Sequence, residues 1–114
     1  MSPLHPASPA ANELQRALQA FREEFAQQVP ARVADARDRL QACRIDPASE
    51  ALLRELHRSV HKLAGSAGTF GMTRLGDDAR AIELRIETLL GQPQRSAADF
   101  EALVPEVEAL RPAA

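Results

Sequence analysis

The sequence predicts an all-α fold, and three features of the chain support this prediction. The chain has 114 residues, a length that suits one domain with a single core. Alanine and leucine supply much of the 45 % apolar content, whereas aromatic residues make up only 4 %. Strand-favouring residues are sparse, and apolar residues recur at steps of three and four. We therefore expect an up-and-down antiparallel four-helix bundle with an additional short or kinked N-terminal helical segment.

The first helical signals follow a proline-containing N-terminus. Residues 1–11 hold no long apolar run, so we expect a disordered tail that is neither a secretory signal nor a membrane span. Asn12 is a candidate N-cap for the first helix. The apolar stripe of that helix consists of Leu14, Ala17, Leu18, Phe21 and Phe25. Pro30 predicts a kink or the first turn of a new segment. The stripe beyond it consists of Val33, Ala36 and Leu40.

The second predicted helix lies in the middle of the chain, between a proline-containing start and a glycine end. Asp46 is its candidate N-cap and Pro47 its first helical residue, and we expect it to run to about Phe70. Its core seam consists of Leu53, Leu56, Val60, Leu63, Ala67 and Phe70. Gly71 is expected to end this helix, because glycine is the usual residue just beyond a helix C-terminus.

Two more helical segments complete the predicted bundle. Thr73 can cap a helix that Gly91 and Pro93 end. Its buried stripe consists of Leu75, Ala79, Ile82, Ile86 and Leu89. Ser96 and Asp99 then resemble a capping box. The last stripe consists of Phe100, Leu103, Val104, Val107 and Leu110, and Pro105 within it kinks or divides the helix. The bundle is thus expected over residues 12–111, with residues 112–114 frayed.

Charge and cysteine content exclude several classes of function. The net charge of −2 argues against a nucleic-acid-binding surface, which needs a marked basic excess. Cys43 is the single cysteine, so no intramolecular disulfide forms and a metal site built on several thiolates is excluded. A lone cysteine fits the reducing cytoplasm. Because no apolar seam is left exposed in the predicted bundle, we expect a monomer.

One face of the central helix has an unusual composition. Each helical residue advances about 100° around the axis, which places His61 roughly 130° from the core seam and His57 about 90° from it. The residues that share the face of His61 are Arg54, His57, Arg58, Ala64, Gly65 and Gly68. The small residues leave the imidazole clear and allow another protein surface to approach closely. The arginines can attract anions, whereas Lys62 lies on a different azimuth.

Other interpretations of this face remain open on the residues alone. His61 could be an ordinary surface histidine, and the glycines could permit close packing of another helix. His57 and His61 are spaced to bind a metal ion, but "HRSVH" lacks the glutamate of the zinc-protease motif and no third ligand lies nearby. Ser59 and Ser66 could be nucleophiles only with an oriented base and an oxyanion hole, and the sequence shows no motif for either.

The segment "HKLAGSAGTFG", with "LHRSV" before it and "LGDDARAIE" after it, resembles the signature of histidine-containing phosphotransfer (HPt) domains. The matching positions, which span about 25 residues with the flanking segments, are His61, Leu63, Gly65, Ser66, Ala67 and Gly71. Ile82 and Glu83 lie where the family has a Leu-Glu-like pair. One position departs from the pattern, because Ala64 stands where many members have a lysine that helps attract or steady the phosphoryl group.

The resemblance implies a role for each residue near the motif. His61 would be the phosphoacceptor, His57 aligns with no phosphorylated position, and Gly65 would keep room for the partner and the phosphoryl group. The implied partners are receiver domains of response regulators and hybrid histidine kinases. Arg58, one turn before His61, or Lys62 would replace the missing lysine. The docking face would be locally basic through Arg54, Arg58, Lys62 and Arg74.

The expected function is therefore that of a phosphoryl carrier without kinase activity. The chain shows no Gly-rich nucleotide loop and no acidic metal cluster, so we expect no cofactor of its own and Mg²⁺ on the receiver. We expect a stand-alone cytoplasmic protein. The alternatives are an HPt-like docking module that carries no phosphate and, from the enzyme class, a metal-dependent hydrolase.

Overall fold

The protein is helical throughout the part of the chain that the computed structural model describes, residues 8–114. The helices are α1 (Pro9–Ile45), α2 (Glu50–Thr69), α3 (Thr73–Leu90), α4 (Ala97–Glu101) and α5 (Val104–Glu108). No strand occurs among the described residues, so the predicted all-α class is confirmed. Within the same residues, no helix combines the length and the apolar content that crossing a membrane requires.

The first helix is longer and more continuous than the sequence predicted. Ser8, not Asn12, is its N-cap, and the Ser8 hydroxyl accepts a hydrogen bond from the Ala11 amide at 3.1 Å. The helix also continues through Pro30 without a break, although an interior proline costs about 3 kcal/mol. The helix keeps this proline because one buried stripe runs on both sides of it. The stripe consists of Phe25, Val29, Val33, Ala36, Leu40 and Cys43.

The predicted N-terminal tail lies mostly outside the described residues. Residues 1–7 of the expected tail over residues 1–11 are not among them. The rest of that range does not continue as a tail, since Ser8 caps α1 and residues 9–11 are already helical. At the other end, residues 112–114 lie outside any helix, as expected. They still make one backbone contact, because the Leu75 amide donates to the Ala113 carbonyl at 3.2 Å.

The link between α1 and α2 corrects the second predicted cap. Asp46 is the C-cap of α1, because its own amide still donates to the Ala42 carbonyl at 3.0 Å. Ser49 is the N-cap of α2, and its hydroxyl accepts from the Leu52 amide at 3.2 Å. Pro47 therefore lies in the turn and not in the first turn of the helix. The Arg95 guanidinium donates to the Pro47 carbonyl at 3.3 Å and fixes the link against the end of α3.

The turn between α2 and α3 has the geometry that a glycine allows. Gly71 adopts φ +74°, a left-handed conformation that costs other residues roughly 1–2 kcal/mol. The Met72 amide donates to the Ala67 carbonyl at 2.8 Å, and the Gly71 amide donates to the Gly68 carbonyl at 3.3 Å. This pair of bonds is a Schellman motif. The predicted end of α2 is confirmed, while Met72 takes the N-cap position that we assigned to Thr73.

The C-terminal part follows the sequence prediction more closely. Ser96 and Asp99 form the predicted capping box, in which the Ser96 amide donates to the Asp99 carboxylate at 2.8 Å. Pro105 lies in the first turn of α5, so the last helical segment is divided in two. Phe100, Leu103 and Val107 are buried and bring both short helices into the common core.

The contacts between the long helices define how α2 is held. Along α1, Arg39 pairs with Glu55 at 3.2 Å and the Asp35 carboxylate accepts from the Ser59 hydroxyl at 2.7 Å. The Phe25 ring stacks on Phe70 at 5.1 Å between centroids, so α1 and α2 run antiparallel. The opposite flank of α2 packs against α3. Because α2 is held on two sides, the side chains at its α3 edge have fixed positions.

The first testable prediction concerns Gly71. Replacing Gly71 with alanine forces a side chain into the left-handed conformation, so we expect the free energy of unfolding to fall by about 1–2 kcal/mol. Gly91 is the matched control at another helix end, because its φ of −81° suits any residue and a Cβ there would meet only ordinary contacts. Urea denaturation followed by circular dichroism measures both variants. Equal stability of the two variants would contradict the assignment.

Candidate functional site

The candidate site is an open depression between α2 and α3, with His61 at its edge. The His61 side chain is 65 % exposed. The depression has a volume of about 530 Å³. Its lining comes from both helices and consists of His61, Ala64, Gly65, Gly68, Thr73, Gly76, Asp77, Arg80 and Glu83. The structure thus brings four of the predicted site residues of α2 together with Glu83, which the family resemblance had pointed out, and with Arg80 of α3, which the sequence did not single out.

The buried carboxylate of Glu83 contacts His61 directly. Glu83 Oε2 lies against the Nδ1 atom of His61, and the Glu83 side chain is only 3 % exposed. Burial raises the pKa of Glu83, but hydrogen bonds from Arg80 and His61, together with their charges, lower it by more, so the pKa ends below its ordinary value. Since the folded-state pKa lies below the unfolded one, this carboxylate stabilises the fold above about pH 4.5, and the contribution is lost as the pH falls through the folded value.

This contact fixes which nitrogen of His61 is free. An ionised carboxylate only accepts hydrogen bonds, so the Nδ1 atom of His61 carries the proton. In the neutral ring the Nε2 atom then has no proton and keeps its lone pair. Because the His61 side chain is largely exposed, that lone pair is accessible to a reacting group from another molecule.

Glu83 is held in place by a small network of charges. Arg80 Nη1 donates to the other carboxylate oxygen, Glu83 Oε1, at 2.5 Å. His57 Nε2 lies 3.5 Å from Glu83 Oε2 and 3.4 Å from Glu87 Oε2. The rings of His57 and His61 are stacked, with 6.0 Å between centroids and 11° between their planes. His57 therefore belongs to the same cluster as His61, although its side chain is less exposed.

The same cluster is where a metal ion could be held. Ligand atoms of His57, Glu83 and Glu87 all lie within 4.8 Å of one another. The Arg80 guanidinium, however, already pairs with both carboxylates, at 2.5 Å from Glu83 and 3.6 Å from Glu87. A bound cation would have to displace this positive charge, so the cluster is an ion-pair network.

The two outward glycines of α2 are not needed for packing within the chain. A Cβ atom built on Gly65 or on Gly68 would meet nothing within 4 Å. Gly76 of α3 differs, because a Cβ there would lie 3.6 Å from the Ala64 carbonyl and from the Ala67 side chain. The close approach of the two helices therefore involves Gly76, whereas Gly65 and Gly68 leave open space on the outside.

The structure separates the basic residues that the sequence placed around His61. Arg54 pairs with Glu50 at 3.6 Å on the surface of α2. Arg58 and Arg74 are exposed and do not line the depression. Lys62 lies on the α1 side of α2, where it joins Asp35 in a separate groove. The pKa of Asp35 is lowered chiefly by the hydrogen bond from Ser59, then by the hydrogen bond and charge of Arg39, and least by the charge of Lys62.

The match of the sequence to a known family agrees with this geometry. The model of the Hpt domain family matches residues 16–113, nearly the whole chain. The protein therefore belongs to the Hpt domain family. Hpt domains are phosphocarrier modules that take part in phosphotransfer in phosphorelays and interact with receiver domains. No curated protein and no solved structure matches the chain.

Sequence reasoning missed the contributions of Arg80 and Glu83 to the site. The resemblance placed Ile82 and Glu83 at a characteristic pair of the family, which was the one available signal. It did not say which atom of His61 the carboxylate would contact. Arg80 carried no signal, because an arginine one turn before a glutamate on an exposed helix is common and indicates only a surface ion pair.

The second prediction concerns the Glu83 contact. In a Glu83→Ala protein the proton of His61 is free to move to Nε2, so we expect the Nδ1-protonated form to lose its dominance in ¹⁵N NMR spectra. We also expect phosphoryl acceptance to slow about tenfold to hundredfold through lost orientation. Glu83→Gln is the matched control, because its amide oxygen can still accept from Nδ1 and should preserve the tautomer. An unchanged tautomer and rate in Glu83→Ala would refute the positioning role.

Proposed function

We propose that this protein accepts a phosphoryl group on His61 from the aspartyl-phosphate of a receiver domain and passes it reversibly to another receiver. The observation that carries the proposal is the exposed His61 ring with its Nδ1 atom held by the buried Glu83 carboxylate. The Hpt family match supports the same role. The functional unit that we propose spans residues 12–111, with α4 and α5 together in the fourth position of an up-and-down antiparallel bundle.

The proposed transfer needs no base from this chain. The lone pair on His61 Nε2 attacks phosphorus, a nitrogen–phosphorus bond forms, and the phosphorus–oxygen bond to the receiver aspartate breaks. The aspartate leaves as a carboxylate. The phosphorylated ring keeps its Nδ1 proton and carries a positive charge, which the adjacent Glu83 carboxylate stabilises. The reverse transfer returns the electron pair to Nε2 and needs no proton rearrangement.

The receiver is proposed to supply Mg²⁺ and the phosphorylated aspartate, while this chain supplies positive charge around the histidine. Phosphoryl transfer depends on positioning and charge stabilisation, so cations near His61 favour docking to an acidic receiver pocket. The sequence offered Arg58 or Lys62 as the replacement for the lysine that the family often has at Ala64. We propose that Arg80, which lines the depression, takes this role together with the exposed Arg58, because Lys62 lies in the separate groove with Asp35. Arg54 and Arg74 would act at longer range by steering association at low salt.

We further propose that the protein acts as a monomer in the cytoplasm. It needs no resident cofactor and does not phosphorylate itself. Each phosphoryl group is exchanged by one His61 with one receiver at a time.

The third prediction concerns Gly65 and Gly68. Alanine at either position fills open space and improves helix propensity, so we expect the fold to be stabilised by up to about 1 kcal/mol. The added methyl group lies on the docking face, so we expect binding to the cognate receiver to weaken by about 1–3 kcal/mol. Isothermal titration and urea denaturation measure the two effects. Gly91→Ala, at the far end of α3, is the control that should leave receiver binding unchanged.

A docking module that carries no phosphate is the alternative function. The observation that favours it is Ala64, which removes a positive charge that many family members offer next to the histidine. Under this alternative a receiver binds the α2–α3 face but keeps its phosphoryl group. His61→Gln would then bind and regulate the partner as the natural protein does.

The fourth prediction tests phosphoryl acceptance. Purified receiver domains are phosphorylated with acetyl phosphate and Mg²⁺, freed of the donor, and mixed with the protein. We expect at least one receiver to lose its phosphoryl group rapidly while the protein gains an acid-labile modification that peptide mapping assigns to His61. ATP with Mg²⁺ and no receiver should leave the protein unmodified. Equal labelling of His61→Gln would refute the proposal, and binding without transfer to any receiver would favour the docking module.

A further inference from the structure

One histidine of α2 and two glutamates of α3 converge beside His61 with the spacing of metal ligands. The ligand atoms of His57, Glu83 and Glu87 all lie within 4.8 Å of one another. His57 Nε2 is 3.5 Å from Glu83 Oε2 and 3.4 Å from Glu87 Oε2. Zinc binds histidine nitrogen and carboxylate oxygen at about 2.0–2.2 Å, so two ligands of a tetrahedral zinc ion lie about 3.3–3.6 Å apart. Both separations from His57 Nε2 match this spacing.

The convergence follows from the register of two neighbouring helices. His57 and His61 are one turn apart on α2, and Glu83 and Glu87 are one turn apart on α3. Side chains on facing helices of a bundle are a common source of metal ligands. No third ligand for the histidines was apparent in the sequence, because both carboxylates belong to the next helix.

Arg80 neutralises part of this cluster, and its contacts show what a cation has to displace. Arg80 Nη1 donates to Glu83 Oε1, whereas the oxygen of Glu83 that lies near His57 is Oε2. Its other contact, at 3.6 Å, is with Glu87 Oε2, an oxygen that the metal would take. The Arg80 side chain is 54 % exposed, and exposed ion pairs contribute little stability, so leaving Glu87 costs little. The bond to Glu83 Oε1 can then orient the ligating carboxylate.

The cluster meets two further requirements of a metal site. A ligating carboxylate must be ionised. Burial raises the pKa of Glu83, but the hydrogen bonds from Arg80 and His61 and their charges lower it by more, so the group is ionised at neutral pH. An ion also needs a path from solvent, and the Glu87 side chain, which is 45 % exposed, leaves one side of the cluster open.

We propose that His57, Glu83 and Glu87 form a binding site for Zn²⁺, with a water molecule as the fourth ligand. A histidine nitrogen together with carboxylates suits zinc, whereas Mg²⁺ and Ca²⁺ bind oxygen ligands and require about six or more of them. Zinc at this site is a reversible ligand and not a resident cofactor. Because the chain supplies only three ligands, we expect a Kd of about 1–100 μM.

The proposed zinc site shares one oxygen atom with the phosphoryl acceptor, and the following consequence rests on the proposed function. Glu83 Oε2 is the atom that accepts the hydrogen bond from His61 Nδ1. A Zn²⁺ ion on this oxygen weakens that hydrogen bond and places positive charge beside a ring that must itself become cationic. We therefore expect bound zinc to slow phosphoryl acceptance by about tenfold.

Isothermal titration of ZnCl₂ into the full chain, without a receiver, tests the site itself. We expect one ion per chain and a Kd that is at least about tenfold weaker in His57→Ala and in Glu87→Gln. His5→Ala and Glu50→Gln are the matched controls, because they remove a histidine and a glutamate that are not among the three ligands. MgCl₂ at the same concentrations should give no binding heat. Absence of zinc binding, or equal weakening by the controls, would overturn the proposal.

NMR of the natural chain locates the ion without relying on the folding of a variant. With ¹⁵N-labelled histidine, zinc should shift the Nε2 resonance of His57 and leave the proton on its Nδ1 atom. Shifts confined to His5 or to His61 would contradict the site.

Phosphoryl acceptance with and without zinc tests the coupling to His61 separately. The natural chain should accept from a phosphorylated receiver about tenfold more slowly at saturating zinc. At the same zinc concentration, the ratio of the two rates should stay near one in Glu87→Gln, which also controls for zinc on the receiver. Zinc binding with an unchanged rate would overturn the coupling. A chain that binds zinc but accepts from no receiver would confirm the site and contradict the proposed function.

Discussion

The contact between the Glu83 carboxylate and the Nδ1 atom of His61 is the interaction on which the rest of the site depends. A buried carboxylate is costly unless it is paired, and here Arg80 and His61 supply that pairing. The pairing keeps the pKa of Glu83 low, so the carboxylate stays an acceptor and the proton stays on Nδ1. Chemistry on His61 is thereby directed to Nε2, the nitrogen that keeps its lone pair on this largely exposed ring. The same carboxylate can balance the positive charge of a phosphorylated ring, so a single contact serves both orientation and charge.

This contact requires that α2 and α3 lie at a fixed distance and register. The Schellman turn at Gly71 reverses the chain within two residues, and Gly76 lets α3 approach the backbone of α2 closely. On the other flank, the Asp35–Ser59 and Arg39–Glu55 contacts hold α2 against α1. Gly65 and Gly68 contribute nothing to this packing. Under the proposed function, their cost in helix propensity is offset by the room they leave for a receiver domain to approach His61.

Much of the fold could be predicted from the sequence, because the apolar periodicity of α2 and α3 and the cap residues Gly71 and Ser96 act locally. The failures lie where tertiary packing decides. Pro30 breaks isolated helices, yet the stripe from Phe25 to Cys43 is buried on both sides of it and keeps α1 continuous. Asp46 and Ser49 are equally good caps in sequence, and only the last hydrogen bond of α1 selects between them. In the site, helical periodicity and the family resemblance pointed to His61 and its glycines. The partners of His61 come from α3, and no periodicity within α2 can reveal them.

The proposed account makes His61 Nε2 the atom that carries the phosphoryl group, and NMR of the phosphorylated protein tests this most directly. Selective ¹⁵N labelling of histidine, combined with ³¹P detection, identifies both the residue and the ring nitrogen that is bonded to phosphorus. The account predicts one phosphohistidine, at His61, with phosphorus on Nε2 and a proton retained on Nδ1. Phosphorus bonded to Nδ1 of His61, or to either nitrogen of His57, would contradict it.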